Sequence, residues 1–214
     1  MVWSELLALA AIVGWPLVPI CWLQIHNWLN FWRKHGRLTY APILLEWFVV
    51  AVLVLALRNY LLGMKLDLGA LRWVGLMLAL VGVYLQAWAI RILGWRTLLG
   101  YSELGLQAAP QKLVTHGPYS IVRHPTYLAH TLFVAGTFLL SEYTGVGVLA
   151  LAEFLTSYFL ITTLEEGELE ERFGDEYRKY REHVLTIEVR IMLGVVNSWA
   201  NVHASSTSPR TTMT

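Results

Sequence analysis

Charged residues are scarce in this sequence: Asp, Glu, Lys and Arg make up 14% of its 214 residues, whereas about a quarter is usual in a soluble domain. Neither sign of charge is in excess, because 16 basic residues stand against 15 acidic ones. A chain without a basic surplus has no field that would hold nucleic acid, so nucleic-acid binding is not expected. Hydrophobic residues make up 56% of the chain and include ten tryptophans, which favour membrane interfaces. The composition therefore predicts a membrane protein.

Cysteine is almost absent, since Cys21 is the single one in the chain. It can form no internal disulfide and no cysteine-based metal cluster, and we expect no metal site. The first five residues, Met1 to Glu5, also lack the lysines and arginines that precede the apolar core of a signal peptide. The first apolar run is therefore expected to be a retained membrane span.

Long apolar runs predict an all-α, polytopic fold with about five transmembrane helices, because about 20 apolar residues cross the hydrocarbon of a bilayer. The predicted spans cover residues 6–32, 41–62, 73–90, 127–141 and 143–164. Pro16 and Pro19 are expected to kink the first span. The last two spans are so close, near Glu142, that we expect a tight helical hairpin.

The basic residues predict the orientation of these spans. With five spans and the N-terminus outside, thirteen of the 16 lysines and arginines fall on the inner side. Only Arg58, Lys65 and Arg72 remain outside, which the positive-inside rule favours. The C-terminus is then cytosolic. We expect three regions: N-terminal helices in residues 1–96, a catalytic region in residues 97–200, and a disordered Ser/Thr-rich tail in residues 201–214.

A first polar motif runs from Lys112 to Tyr127 and gathers arginine, histidine and tyrosine at a membrane boundary. Gly117 and Pro118 mark a turn, and Pro125 suits the first turn of the fourth span. One interpretation is structural, with the arginine on lipid phosphate and the tyrosines in an aromatic belt. The density of ionisable groups at the boundary favours a functional site.

A second motif, residues 165–184, predicts a cytosolic amphipathic helix. Its apolar residues recur at steps of three and four; they are Leu169, Phe173, Tyr177, Tyr180 and Val184. On a helical wheel Glu166 points within about 20° of this stripe, and Glu165 about 80° away from it. A carboxylate on the buried face needs a partner, and a cationic ligand would supply one.

Five features follow one another along the chain: Leu-Val-x-x-Gly-x-Tyr, Arg-His-Pro-x-Tyr, an apolar hairpin, Glu-Glu and Phe-Gly-x-Glu-Tyr-x-x-Tyr. This ordered combination resembles the isoprenylcysteine carboxyl methyltransferases and their phospholipid methyltransferase relatives. The likeness covers about residues 110–184. It implies an S-adenosylmethionine-dependent methyltransferase without a Rossmann fold, whose cofactor pocket is closed by the C-terminal helix. Its acceptor would be a lipophilic or prenylated molecule that arrives from the lipid bilayer.

The resemblance also implies roles for individual residues. The expected cofactor-binding residues are Gln111, Lys112, Leu113, Val114, Gly117, Tyr119, His124, Pro125, Thr126 and Tyr127. Glu165 matches the family's substrate-side glutamate, whereas the helical wheel favours Glu166. We follow the family register, because Gly167 is expected to interrupt the helix between the span and the amphipathic segment. Glu165, Glu166 and Arg123 are the catalytic candidates. If the acceptor is an amine, Glu165 or His124 would accept its proton.

Two departures from the family pattern bear on the acceptor. The carboxyl methyltransferases have an arginine one helical turn before the first glutamate, and this chain has Ile161 at that position. The Arg-Val-Pro that usually follows the last tyrosine of the family pattern is also missing. A phospholipid amine or a small thiol is therefore an alternative acceptor. A sterol-reductase-like NADPH enzyme and a non-catalytic membrane module are further alternatives. His26 and His130 are expected to be interface residues.

Overall fold

A computed structural model describes residues 3–106 and 112–184 of the chain, and within these ranges the regular structure is almost wholly helical. The helices are α1 (Trp3–Gly14), α2 (Leu17–Asn27), α3 (Leu29–His35), α4 (Tyr40–Ala56), α5 (Arg58–Leu61), α6 (Leu71–Leu93), α7 (Trp95–Leu98), α8 (Pro125–Ser141), α9 (Thr144–Leu160), α10 (Glu166–Phe173) and α11 (Asp175–His183). A π-helical turn, Ile161–Glu165, joins α9 to α10. The predicted all-α membrane fold is confirmed.

Four helical segments of the described chain are long and apolar enough to cross a membrane: Trp3–Asn27, Leu29–Ala56, Leu71–Leu93 and Thr144–Phe173. The predicted fourth span corresponds to α8, which has 17 residues and is therefore somewhat shorter. The helical hairpin is confirmed, because α8 ends at Ser141, Glu142 takes a left-handed conformation with φ 65°, and α9 begins at Thr144.

The segment Trp3–Asn27 is broken once, between α1 and α2, and the predicted first span, residues 6–32, contains a second break at Trp28, between α2 and α3. Pro16 follows Trp15 at the first break, where its missing N–H and fixed φ interrupt the helical hydrogen bonds. Pro19, predicted as a second kink, lies instead in the first turn of α2, where a proline is tolerated. The Trp15 indole N–H donates a hydrogen bond to Glu153, which ties the break to α9.

Glycines bring α6 and α8 into close contact. A Cβ atom on Gly136 of α8 would lie 2.5 Å from the backbone nitrogen of Ala79 and 2.6 Å from the carbonyl oxygen of Gly75, both on α6. Gly82 meets the backbone of α8 in the same way. This contact fixes the start of α8, where the Arg-His-Pro motif lies, against the third span.

The C-terminal amphipathic segment differs from the prediction of one helix. It is two helices, α10 and α11, separated at Gly174, whose φ of +54° is a conformation that L-residues rarely adopt. Helical structure continues through Gly167, so the break expected there lies seven residues further on. The predicted division at residue 96 stays a prediction, and the tail at residues 201–214 lies outside the described residues.

Candidate active site

His124 is the centre of a buried polar cluster at the N-terminus of α8. Its side chain lies between two carboxylates, with Nδ1 3.0 Å from Glu165 Oε2 and Nε2 2.9 Å from Glu166 Oε1. The Tyr127 hydroxyl, one turn along α8, donates to Glu165 Oε1 at 2.8 Å. The Arg123 guanidinium lies 3.1 Å from Glu166 Oε1.

Two features of the sequence produce this arrangement. Pro125 at the first position of α8 makes His124 the capping residue, so its side chain projects beyond the helix end. On the other side, Thr162 and Thr163 donate their hydroxyls to carbonyls four residues back, and the Glu166 N–H bonds the Ile161 carbonyl five residues back. This i+5 pattern is a π-turn, a rare element that is frequent at functional sites.

The π-turn also resolves the disagreement between helical wheel and resemblance. Glu165 and Glu166 both reach His124, from the two edges of its ring. The wheel assumed 100° per residue from Glu165 to Val184, which holds neither at Glu165, in the π-turn, nor at the break at Gly174. In the π-turn the Ile161 carbonyl accepts the backbone N–H of Glu166, whereas an α-helix would pair this carbonyl with the N–H of Glu165. The Ile161 side chain is buried against Tyr127 and Leu160.

The electrostatics of the cluster favour a protonated His124. Burial lowers the pKa of His124, but the hydrogen bonds and charges of Glu165 and Glu166 outweigh burial and raise this pKa to about 9. Because both ring nitrogens face carboxylate oxygens, both must act as donors, which only the imidazolium can do. A protonated histidine cannot accept a proton from an acceptor molecule, so Glu165 is the better placed of the two predicted bases.

A cavity of about 640 Å³ lies against this cluster. Among the predicted site residues it is lined by Lys112, Leu113, Val114, Tyr119, Arg123, His124, Thr126 and Glu165. Helix α11 covers one side, because the Tyr180 hydroxyl donates to the Tyr119 carbonyl at 2.6 Å and Arg123 donates to the Arg181 carbonyl at 3.0 Å. Gly117 begins the short 3-10 turn that carries Tyr119, and Gln111 lies outside the described residues.

A second cavity, of about 540 Å³, adjoins the first, and Trp22, Leu98 and Thr126 line both. No Asp, Glu, Lys or Arg occurs among the described residues that line this second cavity. Tyr127 lines it and donates to Glu165, which lines the first cavity, so this hydrogen bond connects the two. Of the predicted site residues, Thr126 lines both cavities and Tyr127 only the uncharged one, whereas Gly117, Pro125 and Glu166 line neither.

Several residues that line the cavities were not predicted as site residues. His26 lines the first cavity, with Nε2 3.4 Å from Glu168 Oε2. His130 and Gln86 line the second. Both histidines were predicted as interface residues. Their position inside membrane-spanning helices was a signal that favoured a functional role. Glu103, also on the wall of the first cavity, carried no signal in the sequence.

Comparison with known proteins places these cavities in context. The sequence model of the family described as phospholipid methyltransferase matches residues 70–176, which include α6, α8, α9 and the π-turn. Methanethiol S-methyltransferase 1 of Bradyrhizobium diazoefficiens is 35% identical over 82 residues, which are 38% of this chain and 27% of that relative. The match thus spans about a quarter of the relative's length. No solved structure matches the chain.

Proposed function

The chain belongs to the phospholipid methyltransferase family, and we propose that it is a membrane methyltransferase that transfers the methyl group of S-adenosylmethionine to an uncharged, lipophilic acceptor. The observation that carries this proposal is the pair of adjoining cavities, one lined by charged residues and one without them. A polar methyl donor and an apolar acceptor need two such binding sites, and these sites must adjoin so that the methyl group can pass directly from one molecule to the other.

The charged cavity suits the methyl donor. Two buried side-chain atoms on its wall, Glu103 Oε2 and Arg123 Nε, have no hydrogen-bond partner among the described residues, and a polar ligand would supply partners for both. The backbone at Lys112 to Val114, with Tyr119 and His124, would hold S-adenosylmethionine, whose sulfonium supplies an activated methyl group. The Glu103 carboxylate oxygen without a partner makes the cavity compatible with a cationic ligand.

The uncharged cavity suits the acceptor. Leu44 and Ile90 line it and are also exposed on the outer surface of the helices, so it is continuous with the face that meets lipid. A permanent charge would have no partner on the described wall, and leaving a charge unpaired at this depth costs several kcal/mol. We therefore favour a small or chain-bearing thiol over a carboxylate or a phospholipid headgroup.

The chain's own residues would orient the reactants and exclude water. Holding a donor and an acceptor in line for displacement contributes several kcal/mol to catalysis. Tyr127 would act at the wall between the cavities, where its hydroxyl fixes the Glu165 carboxylate. A thiol must lose its proton to attack, and Glu165 would accept it, since His124 already carries a proton on each nitrogen.

Methylation of a phospholipid amine is the second candidate. The name of the family favours it. The uncharged cavity opposes it, because the described wall offers no Lys or Arg for the phosphate that accompanies the amine. The name of the Bradyrhizobium relative, a methanethiol methyltransferase, instead supports a thiol.

The proposal is tested with purified protein in nanodiscs, methyl-labelled S-adenosylmethionine and one of three acceptors: an alkyl thiol, a prenylcysteine or phosphatidylethanolamine. We expect label in the alkyl thioether. In the variant Tyr127→Phe, which loses the hydrogen bond to Glu165, we expect kcat to fall at least tenfold. The control is Tyr84→Phe, at a lipid-exposed tyrosine of α6. Label confined to phosphatidylethanolamine would show that the second candidate is correct.

A further inference from the structure

The carboxylate of Glu103 lies on the wall of the charged cavity without a donor for one of its oxygens. Glu103 follows α7 in a short loop that Leu104 anchors, since the Leu104 side chain is buried against Ile25 and Ile43. Glu103 Oε2 is buried and has no hydrogen-bond partner among the described residues. A buried carboxylate oxygen is costly unless a donor reaches it. A ligand in the cavity could supply that donor.

The surroundings of Glu103 identify the kind of donor. Burial raises the pKa of Glu103, and the charge of Glu168 adds to this effect, while His26 and Arg172 oppose it. A carboxylate whose charged form is disfavoured in this way gains most from a cation at short range. An ammonium group would therefore be a better partner than a neutral hydroxyl.

Arg33 places a positive charge beside the same residue. Its Nε donates to the backbone carbonyl of Glu103 at 2.8 Å, so the guanidinium lies next to the loop, and Arg33 also lines the charged cavity. A carboxylate and a guanidinium side by side on one wall match an ammonium and a carboxylate borne by one carbon atom. That pair of charges is the amino-acid end of a zwitterion.

We propose that Glu103 and Arg33 recognise the α-amino and α-carboxylate groups of the methionine part of S-adenosylmethionine. This inference rests on the proposed function. It adds a binding site formed by α3 and the loop after α7, separate from the motif at residues 112–127. One of its two residues, Arg33, lies outside the segment matched by the family model.

The first test measures the wild-type protein by calorimetry in detergent with three ligands. These are S-adenosylhomocysteine, its analogue without the α-amino group, and methylthioadenosine, which lacks the amino-acid end. We expect the loss of the amino group to weaken binding at least tenfold. Equal affinity for the first two ligands would overturn the role of Glu103. Failure to bind any of the three would instead contradict the proposed function.

The second test compares variants. Glu103→Gln should weaken S-adenosylhomocysteine at least tenfold and leave methylthioadenosine unchanged, because only the first ligand carries the amino group. Glu103→Asp, which keeps the charge on a shorter side chain, should lose less. The control is Glu176→Gln, at an exposed residue of α11 that lines neither cavity. Equal losses for both ligands, or no loss in either Glu103 variant, would refute the assignment.

Discussion

His124 and its neighbours form a group of four charges in which two are positive and two negative. Arg123 and protonated His124 balance Glu165 and Glu166, so the cluster can be buried without leaving an unpaired charge. The side chain of His124 is only 5% exposed. Replacing any one of the four upsets this balance of charge in a buried site, and we expect such variants to lose stability as well as activity.

The raised pKa of His124 predicts that stability falls at alkaline pH. In the unfolded chain the ordinary pKa is about 6.5, whereas beside Glu165 and Glu166 it is about 9. The stabilisation is complete below the lower value and is lost as the pH rises through the higher one. From this group alone, the free energy of unfolding should fall by on the order of 3 kcal/mol between these values.

Chemical unfolding in detergent at a series of pH values checks this expectation. Wild-type protein and a variant at the exposed His35, His35→Gln, should share the alkaline loss. In His124→Gln this part of the pH dependence should be absent. An unchanged slope in His124→Gln would assign the alkaline loss to another group.

At the scale of helices, the contact between α6 and α8 holds the site in position. The backbone of α8 lies directly on α6 at Gly136, where no side chain fits. Gly136→Ala should therefore destabilise the protein by about 1–3 kcal/mol, the range typical of overpacking. Gly14→Ala is the control, because a Cβ there meets nothing within 4 Å. Thermal unfolding followed by tryptophan fluorescence measures both, and equal stability of the two variants would contradict the role of this contact.

The two C-terminal helices show what periodicity can predict and what it cannot. The apolar stripe correctly indicated that Tyr177 is buried, and its exposed fraction is 0%. A single helix was nevertheless the wrong prediction, because Gly174 takes a positive φ and ends α10. The Phe-Gly pair in the sequence is compatible with both outcomes. Two tertiary hydrogen bonds accompany the division into two helices. The Tyr180 hydroxyl donates to the Tyr119 carbonyl in the loop before α8, and Arg123 donates to the Arg181 carbonyl on α11.

At the scale of the whole molecule, we propose an orientation with the N-terminus outside and the C-terminus in the cytosol, as the distribution of basic residues predicts. In a Cys21→Ser background, a cysteine introduced by Asp67→Cys, in the loop between α5 and α6, should react with an impermeant maleimide added to intact cells. One introduced by Glu176→Cys on α11 should react only after the membrane is permeabilised. Both residues are exposed, so access to the side chain is not limiting. The opposite pattern would reverse the orientation.

The sequence by itself determined the membrane class, the helical fold, the hairpin between α8 and α9 and the family, because apolar runs and ordered motifs are local properties. Only the tertiary structure decided that Glu165 and Glu166 both contact His124, since a π-turn changes the helical register that a wheel assumes. It also decided that Arg33 and Glu103, 70 residues apart, meet on one cavity wall. The physical reason is that such pairs form only when distant segments pack together, and the pattern of apolar residues within one segment does not indicate which residues of another segment it will contact.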